Sequence, residues 1–362
     1  MNSKLIKTQE NLKTFCKSIK RGDVIAVDLE FMRVRTFYPI LCLIQINLND
    51  ELFAIDALAK DMNLKPFAKI LKKRSVTKII HSSSQDLEVL FQEFRFVPRS
   101  IVDTQLMANF LGFNYNTSYA SLVKTFSNKE LSKEQQRSNW QKRPLTKEQL
   151  EYALNDVKYL PKIYYSLKNQ LEEEGKLKYF LKEMKNVLKN KTYDVNKYDI
   201  YKNFSFNNNN FLYQSNLITL IKWRDKKAKE VNIPRSFILK DVVLNEIAKR
   251  NPQNVKQVDK IFDEYNIKNR RAKFKIIFLL QNCKIVKKKK KILDRRLSEK
   301  QKIIYAKAQK LLLEKGEENN IRPEMIISQL ELKNIILGHV RLKKLLSNWR
   351  YKLFGKYLKK IC

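Results

Sequence analysis

The chain has 362 residues, and its 74 lysines and arginines against 37 aspartates and glutamates give a formal net charge of +37. This length predicts two or three domains, and the sequence contains no run of 18 apolar residues, so we expect a cytoplasmic protein with no membrane partner. Its four widely spaced cysteines and two histidines fit neither a disulfide framework nor a structural zinc site.

The positive charge is concentrated in the second half of the chain. Residues 1–170 carry 27 basic and 17 acidic side chains, whereas the remaining residues carry 47 and 20. Such an excess favours a polyanionic partner, above all nucleic acid, because lysine and arginine release condensed counterions from phosphates. Drift toward AT-rich codons would also enrich lysine over arginine, so the charge alone is only slight support for binding.

From about residue 23 the pattern shows short apolar strands followed by amphipathic helices. The predicted strands are DVIAVDLEF, LCLIQINL, ELFAID, VTKIIHS and SIVD, and the predicted helices are SQDLEVLFQEF and TQLMANFLG. Asp103, between the last strand and the last helix, is predicted to cap that helix. Three strands in succession, followed by strands that alternate with helices, indicate an α/β or α+β layer fold.

Beyond about residue 205 the pattern is helical. We predict a small helical domain over about 210–285 and a second helical unit over about 292–362. The segment NFSFNNNNF is the predicted linker before them, and five consecutive lysines, Lys287 to Lys291, mark the junction between them because like charges resist packing.

Two carboxylates end the first buried strand. Asp28 and Glu30 follow the apolar run at 24–27, and at a period of two both project from one face of the strand. Adjacent like charges there are costly unless a cation or hydrogen-bond donors neutralise them, and oxygen ligands suit Mg²⁺ or Mn²⁺. Taken alone, such a pair is more often simply solvated.

Two later segments add further acids. Asp86 is expected in the first turn of a helix that follows an apolar strand. Thr146 and Gln149 form a capping-box pair, which fixes a helix register in which Tyr152 and Asp156, four residues apart, share a face. Each feature alone is common in helices, so only their conjunction carries weight.

In order and spacing, these segments match the three exonuclease motifs of the tyrosine-bearing branch of the DEDD superfamily. The stretches DLEFMRVRTFYPILCLIQI, HSSSQDLEVL and SNWQKRPLTKEQLEYALNDVKYL resemble the ribonuclease D family. LIKWRDKKAKEVNIPRSFILKDVVLNEIAKRNP resembles its HRDC domain, and IRPEMIISQLELKNIILGHVRLKKLLSNWRYKL resembles a degenerate second copy.

The resemblance implies a domain order. It predicts a ribonuclease-H-like α/β exonuclease domain, with a mixed sheet flanked by helices, over residues 1–170. A helical connection and linker over 171–210, an HRDC domain over 211–290 and a degenerate HRDC-like helical domain over 291–362 would follow.

The resemblance also implies roles for the residues that match the motifs. Asp28 would bridge two divalent cations, Mg²⁺ or Mn²⁺, Glu30 and Asp156 would complete the coordination of one, and Asp86 would support the site through water. Tyr152 would orient, or help to deprotonate, the attacking water. By their position beside the motifs, Phe31 and Met32 are candidates either for stacking against the terminal base or for core packing. Arg33 and Arg143 are candidates either for gripping phosphates or for a solvated surface.

The implied function is a 3′→5′ exoribonuclease that releases 5′-mononucleotides. Its expected substrates are tRNA precursors and other small structured RNAs, without an obligate protein partner. Three alternatives stay open: an exonuclease acting on DNA, a non-catalytic nucleic-acid-binding protein, and an interaction module whose charge reflects codon drift. The sequence contains only two histidines, His81 and His339, which disfavours a ribonuclease mechanism based on histidine.

Overall fold

The computed structural model describes residues 4–132, 134–189, 193, 200–201, 203–204, 210–268, 270–285, 297–346 and 349–361. The chain divides into two compact units by its internal contacts. Unit 1 comprises Met1–Met32, Ile40–Asp194 and Asp294–Cys362, and unit 2 comprises Arg33–Pro39 and Val195–Leu293. The predicted lysine run at 287–291 and most of the predicted linker lie outside the described residues.

Unit 1 is built on a six-stranded mixed sheet. Its strands are β1 (Lys4–Ile6), β2 (Val24–Met32), β3 (Ile40–Leu48), β4 (Glu51–Asp56), β5 (Thr77–Ile80) and β6 (Ile101–Asp103). Their spatial order is β1-β4-β3-β2-β5-β6, with antiparallel β2–β3 and β3–β4 pairs and parallel pairs elsewhere. The predicted mixed sheet is confirmed.

Helices cover both faces of this sheet. The helices before residue 190 are α1 (Gln9–Ser18), α2 (Lys65–Lys72), α3 (Ser84–Phe94), α4 (Thr104–Asn109), α5 (Tyr119–Ser127), α6 (Lys147–Lys158), α7 (Leu160–Glu173) and α8 (Leu177–Lys189). Ile25 and Val27 of β2 lie in the larger core, whereas Ala26 packs in a second core with Ala153 and Val157 of α6. The continuous apolar run of β2 is explained by this burial on both sides.

The C-terminal helices complete the larger core of unit 1. They are α14 (Glu299–Glu318), α15 (Pro323–Ile326), α16 (Gln329–Ile336), α17 (Leu342–Leu345) and α18 (Lys356–Ile361), with a π-helical turn at Tyr351–Gly355. The Trp349 ring lies 5.4 Å from that of Phe110 and 5.6 Å from that of Tyr179. In its packing this segment therefore belongs with the sheet, and its assignment as a second HRDC-like domain stays a prediction.

Unit 2 is a small helical bundle with its own core. Its helices are α9 (Phe211–Glu230), α10 (Arg235–Ile238), α11 (Asp241–Arg250), α12 (Val255–Glu264) and α13 (Lys273–Gln281). Leu220, Leu244 and Phe262 are fully buried at its centre. The segment Arg33–Pro39 groups with this bundle, and among the described helices of the whole chain none is both long and apolar enough to cross a bilayer.

Candidate active site

Helix α6 is fixed over the face of β2 that carries the two acids. Its first turn is closed by the predicted capping box of Thr146 and Gln149. At its other end, Asn47 Nδ2 of β3 donates to the carbonyl oxygens of Val157 at 3.4 Å and Lys158 at 3.0 Å. The capping box fixes the start of α6, and the hydrogen bonds from Asn47 attach its end to the sheet. The face of α6 that points toward β2 is therefore held in place.

This arrangement brings three acids together. Asp28, Glu30 and Asp156 each present a carboxylate oxygen, and these oxygens lie within 4.8 Å of one another. Asp86, in the first turn of α3 as predicted, is outside this close set but is only 7% exposed. Its charge still raises the pKa of both Asp28 and Glu30, so it shares their electrostatic environment.

Burial raises the pKa of every acid in the group, and repulsion between the acids adds to the shift for Asp28 and Glu30. Burial, followed by the charges of Asp86, Asp156 and Glu30, raises the pKa of Asp28 well above its ordinary value. Burial and the charges of Asp156 and Asp86 raise the pKa of Glu30 to about 9. Four ionised carboxylates are therefore unstable here unless positive charge is supplied.

The other two acids are shifted less. Burial and the charge of Asp103 raise the pKa of Asp86 to about 7. Burial likewise raises the pKa of Asp156 to about 7, although a hydrogen bond from Tyr152 opposes the shift. A set of closely spaced oxygen donors without nitrogen or sulfur suits a hard divalent cation, so the cluster is a candidate divalent-metal site.

The Tyr152 hydroxyl lies beside this cluster. It hydrogen bonds to Asp156, and burial together with the charges of Asp156, Glu30 and Asp28 raises its pKa far above the ordinary value. Its ring centroid is 6.2 Å from that of Trp140, which is 2% exposed. The hydroxyl is therefore held in place and keeps its proton, which favours orienting a water over acting as a phenolate base.

Neighbouring polar residues have structural partners. The predicted cap is confirmed, because the Asp103 carboxylate accepts from the backbone amides of Gln105 and Leu106. His81 lies 3.0 Å from Thr104 Oγ1 and 3.1 Å from the Thr117 carbonyl oxygen, and burial lowers its pKa. His81 is thus a buried, neutral side chain with a structural role.

The residues expected to contact substrate fall into different environments. Phe31 and Met32 end β2 half-buried against the two cores, next to Glu30. Arg33 is exposed and begins the segment that groups with unit 2. None of these placements tests substrate contact, which stays a prediction for all three.

Arg143 is occupied by protein acceptors. Its Nε donates to both Asp56 oxygens at 3.0 and 2.8 Å, and Nη2 donates to Asp56 Oδ1 at 2.7 Å and to the Cys42 carbonyl oxygen at 2.9 Å. Nη1 donates to the Trp140 carbonyl oxygen at 2.7 Å. Substrate binding by Arg143 stays a prediction, and these contacts point to a structural role in holding the Trp140 loop.

Comparison with known proteins identifies the family. A family model described as 3′-5′ exonuclease matches residues 4–172, and one described as HRDC domain matches residues 217–273. Ribonuclease D of Bartonella henselae is 30% identical over 98% of this chain and 88% of its own length, and that of Haemophilus influenzae is 34% identical over 89% and 81%.

A solved structure agrees along the whole chain. The crystal structure of Escherichia coli RNase D, an exoribonuclease involved in structured RNA processing, is 27% identical with a TM-score of 0.84, covering 100% of this chain and 98% of that one. Both domain types, their order and nearly the full length are therefore shared. The chain belongs to the ribonuclease D family of 3′→5′ exoribonucleases.

Proposed function

We propose that this chain removes 5′-mononucleotides one at a time from the 3′ end of RNA, at a site made by Asp28, Glu30, Asp86 and Asp156. The observation that carries the proposal is the approach of three carboxylates from β2 and α6 to within 4.8 Å, with a fourth acid buried nearby. Such a cluster is costly in a folded protein unless cations use it.

Two divalent cations, Mg²⁺ or Mn²⁺, are the proposed cofactors. When bound, they would neutralise the carboxylates and stabilise both the attacking and the leaving oxygen of a phosphodiester displacement. Asp28, which the charges of the other three acids all influence, is the proposed bridging ligand. Glu30 and Asp156 would complete one coordination sphere, and Asp86 would support the site through water.

Tyr152 is the proposed water-positioning residue. Its hydroxyl engages Asp156 and keeps its proton, because burial and nearby negative charge oppose its ionisation. The lone pairs of its oxygen can then accept a hydrogen bond from the attacking water and direct that water at the terminal phosphorus, in line with the leaving 3′ oxygen. Its contribution would lie in the chemical step rather than in RNA affinity.

The proposed substrates are tRNA precursors and other small structured RNAs with single-stranded 3′ ends. The E. coli relative is described as acting in structured RNA processing, and the net charge of +37 favours a polyanion. We expect the HRDC domain to contribute to RNA binding, and we assign no obligate protein partner.

The decisive experiment follows the products formed from a tRNA with a 3′ extension, with Mg²⁺ or with chelator. We expect only 5′-mononucleotides, and only with the cation. Release of oligonucleotides would instead indicate an endonuclease. A DNA oligonucleotide of the same sequence tests the alternative substrate, because equal rates on both would mean that the 2′-hydroxyl is not recognised.

A further inference from the structure

Helix α13 of unit 2 exposes two phenylalanines beside a lysine. Phe274 is 69% exposed and Phe278 is 55% exposed, while Ile276 on the other side of the helix is fully buried. Phe278 follows Phe274 by four positions and Lys275 by three, so the three side chains share one side of the helix. We call Phe274, Lys275 and Phe278 the α13 face.

A cationic cavity adjoins this face. Its volume is about 680 Å³, and Lys275 belongs to both the cavity wall and the α13 face. The charged and aromatic side chains in its wall are Trp223, Lys226, Lys227, Glu230, Arg271 and Lys275. The wall therefore carries four positive charges and one negative charge. The Glu230 carboxylate pairs with two of the lysines: its oxygens lie 3.9 Å from Lys226 Nζ and 3.7 Å from Lys227 Nζ.

We propose that the α13 face and this cavity form a binding site for single-stranded RNA, with bases stacked on Phe274 and Phe278 and phosphates held by the cavity lysines. The site rests on the proposed function, since it would hold part of the same substrate. Alternating aromatic and cationic groups suit a single strand, because each base offers a stacking surface and each nucleotide carries one phosphate.

Charge and geometry favour RNA over a protein partner on this face. The Lys275 ammonium lies 4.6 Å from the centroid of the Phe278 ring, so an apolar protein surface that covered the ring would also bury the cation. Lysine is depleted from the buried centre of protein interfaces for this reason. A phosphate beside Lys275 would instead compensate its charge while the ring stays available for stacking.

The test measures affinity of the full chain for a labelled single-stranded 12-nucleotide RNA by fluorescence anisotropy, in chelator so that the RNA is not cut. For the double variant Phe274→Ala/Phe278→Ala we expect binding that is weaker by about 30-fold or more. Lys275→Ala should reduce the dependence of log affinity on log salt by about 0.7. The aromatic-preserving pair Phe274→Trp/Phe278→Trp should keep the affinity of the parent chain.

Matched controls come from the same unit. Phe237, 55% exposed on α10, and Lys249, exposed on α11, lie outside both the α13 face and the cavity wall. Phe237→Ala and Lys249→Ala should each change affinity less than twofold. If the double alanine variant binds as tightly as these controls, the proposed site is wrong.

Activity separates this proposal from the function on which it rests. With Mg²⁺, the double alanine variant should hydrolyse a trinucleotide at the parental rate but show a raised KM on the 12-nucleotide RNA. If the parent chain degrades neither RNA, the proposed function fails. If both RNAs are degraded with unchanged KM by the variant, only the site fails. A changed oligomeric state with unchanged RNA affinity would assign the face to chain–chain contact and overturn the proposal.

A second, independent observation concerns Gln45 on β3. This side chain is completely buried, and within the described part of the chain neither its amide nitrogen nor its amide oxygen has a hydrogen-bond partner. Gln45 lies directly opposite Asp28 in the antiparallel β2–β3 pair. Paired positions project on the same face with Cβ atoms about 5 Å apart, so the Gln45 and Asp28 side chains leave the sheet side by side.

We infer that Gln45 is a positioning residue, whose amide nitrogen donates to the Asp28 carboxylate when a bound cation keeps that carboxylate ionised. A buried amide without partners destabilises the fold, so an apolar side chain of similar size would be favoured if Gln45 had only a packing role. Asn47, two positions along the same face, differs from Gln45 because its amide nitrogen has hydrogen-bond acceptors in α6.

The test compares Gln45→Met with Leu43→Met, a volume-conserving change on the same face opposite Glu30. Direct Mn²⁺ titration followed by electron paramagnetic resonance should show about tenfold weaker binding for Gln45→Met and unchanged binding for Leu43→Met. The Tm of metal-free Gln45→Met should equal or exceed that of the parent. Unchanged Mn²⁺ affinity would overturn the inference, and Gln45→Leu provides the same comparison if methionine disturbs the sheet.

Discussion

The two compact units hold their charges in opposite ways. In unit 1 the acids of the candidate metal site are largely removed from water; burial raises every pKa in the group, and the charges of neighbouring acids raise those of Asp28 and Glu30 further. In unit 2, residues 211–285 carry 17 basic and 7 acidic side chains, and many of the lysines are exposed. Buried charges interact strongly with a few specific neighbours, whereas exposed charges are screened and act by their sum.

This contrast implies different responses to substitution. Removing one acid from the cluster should alter its neighbours as well, because the charges of Asp86 and Asp156 raise the pKa of both Asp28 and Glu30. Removing one exposed lysine from unit 2 should lower RNA affinity by a small factor, because each contact contributes one phosphate interaction among several. Substitutions in unit 1 should therefore affect mainly the rate of hydrolysis, whereas substitutions in unit 2 should affect mainly RNA affinity.

The largest effect is expected for Asp28→Asn. The substitution removes a charged oxygen donor from the centre of the cluster, so we expect RNA hydrolysis to fall by about 100-fold or more, given that supporting residues around metal sites alone contribute 10- to 100-fold. Single-turnover rates with saturating Mg²⁺ provide the measurement. Asp50→Asn, in the exposed β3–β4 turn at φ 65° where asparagine is also favourable, is the control. Unchanged hydrolysis by Asp28→Asn would refute the site.

The next largest effect is expected for Tyr152→Phe. Loss of the hydroxyl removes the hydrogen bond to Asp156 and the proposed acceptor for the attacking water, so kcat should fall by about 100-fold. Mn²⁺ affinity should change little, which distinguishes this variant from Asp28→Asn. Tyr165→Phe, 49% exposed on α7, is the control. A loss of metal binding equal to that of Asp28→Asn would show that Tyr152 supports the ligands instead.

Buried and exposed ion pairs provide the third comparison. Arg143→Ala leaves the buried Asp56 carboxylate, 5% exposed, without its charged partner, and we expect a loss of about 3 kcal/mol in the free energy of unfolding of unit 1. Arg270→Ala, which breaks pairs with Asp259 and Asp263 in unit 2 at 41% exposure of the arginine side chain, should lower the free energy of unfolding far less, because water screens exposed ion pairs. Urea unfolding measures both. A raised KM with unchanged stability for Arg143→Ala would support substrate binding instead.

The smallest effect is a pH dependence of metal-free stability. Burial and neighbouring charge raise the folded-state pKa of Asp156 to about 7 and that of Glu30 to about 9, from ordinary values of 3.8 and 4.5. At pH values between the ordinary and the raised pKa of each acid, the folded state binds more protons than the unfolded state. The free energy of unfolding therefore falls as pH rises through this range. We expect the Tm in chelator to fall steadily between pH 5 and pH 8.

Added Mg²⁺ should remove most of this pH dependence, because the cation replaces the protons and favours the ionised acids. Scanning calorimetry at matched ionic strength measures both conditions. Asp28→Asn should show a flatter profile in chelator, since it lacks one of the mutually repelling groups. A Tm in chelator that is constant or rises from pH 5 to pH 8 would contradict the raised pKa values.

The sequence was sufficient for features that depend on local pattern. The strand that carries Asp28 and Glu30, the capping box of α6 and the cap at Asp103 are set by neighbouring residues, and each is present. Features that depend on strand pairing were missed. Nothing near Gln45 in the sequence shows that it lies opposite Asp28, because that follows from the β2–β3 register.

The ion pair between Arg143 and Asp56 was missed for the same reason, since its partners are 87 residues apart. The sequence showed that Arg143 lies near a catalytic motif, but it did not show that the Asp56 carboxylate is its ion-pair partner. The grouping of residues 294–362 with the sheet was also not apparent, because amphipathic helices pack against a sheet or against one another with similar patterns. The features that could not be predicted from the sequence are therefore mainly contacts between residues that are far apart along the chain.

The packing of Trp349 on Phe110 and Tyr179 constrains how this protein can be shortened. The nuclease core is completed by the last stretch of the chain, so a protein that stopped after residue 194 would leave those aromatic rings open to water. Truncation from the carboxyl end is therefore an unsuitable way to isolate the nuclease. A lineage that dispensed with the helical bundle would be expected to lose it by an internal deletion that preserves the final helices.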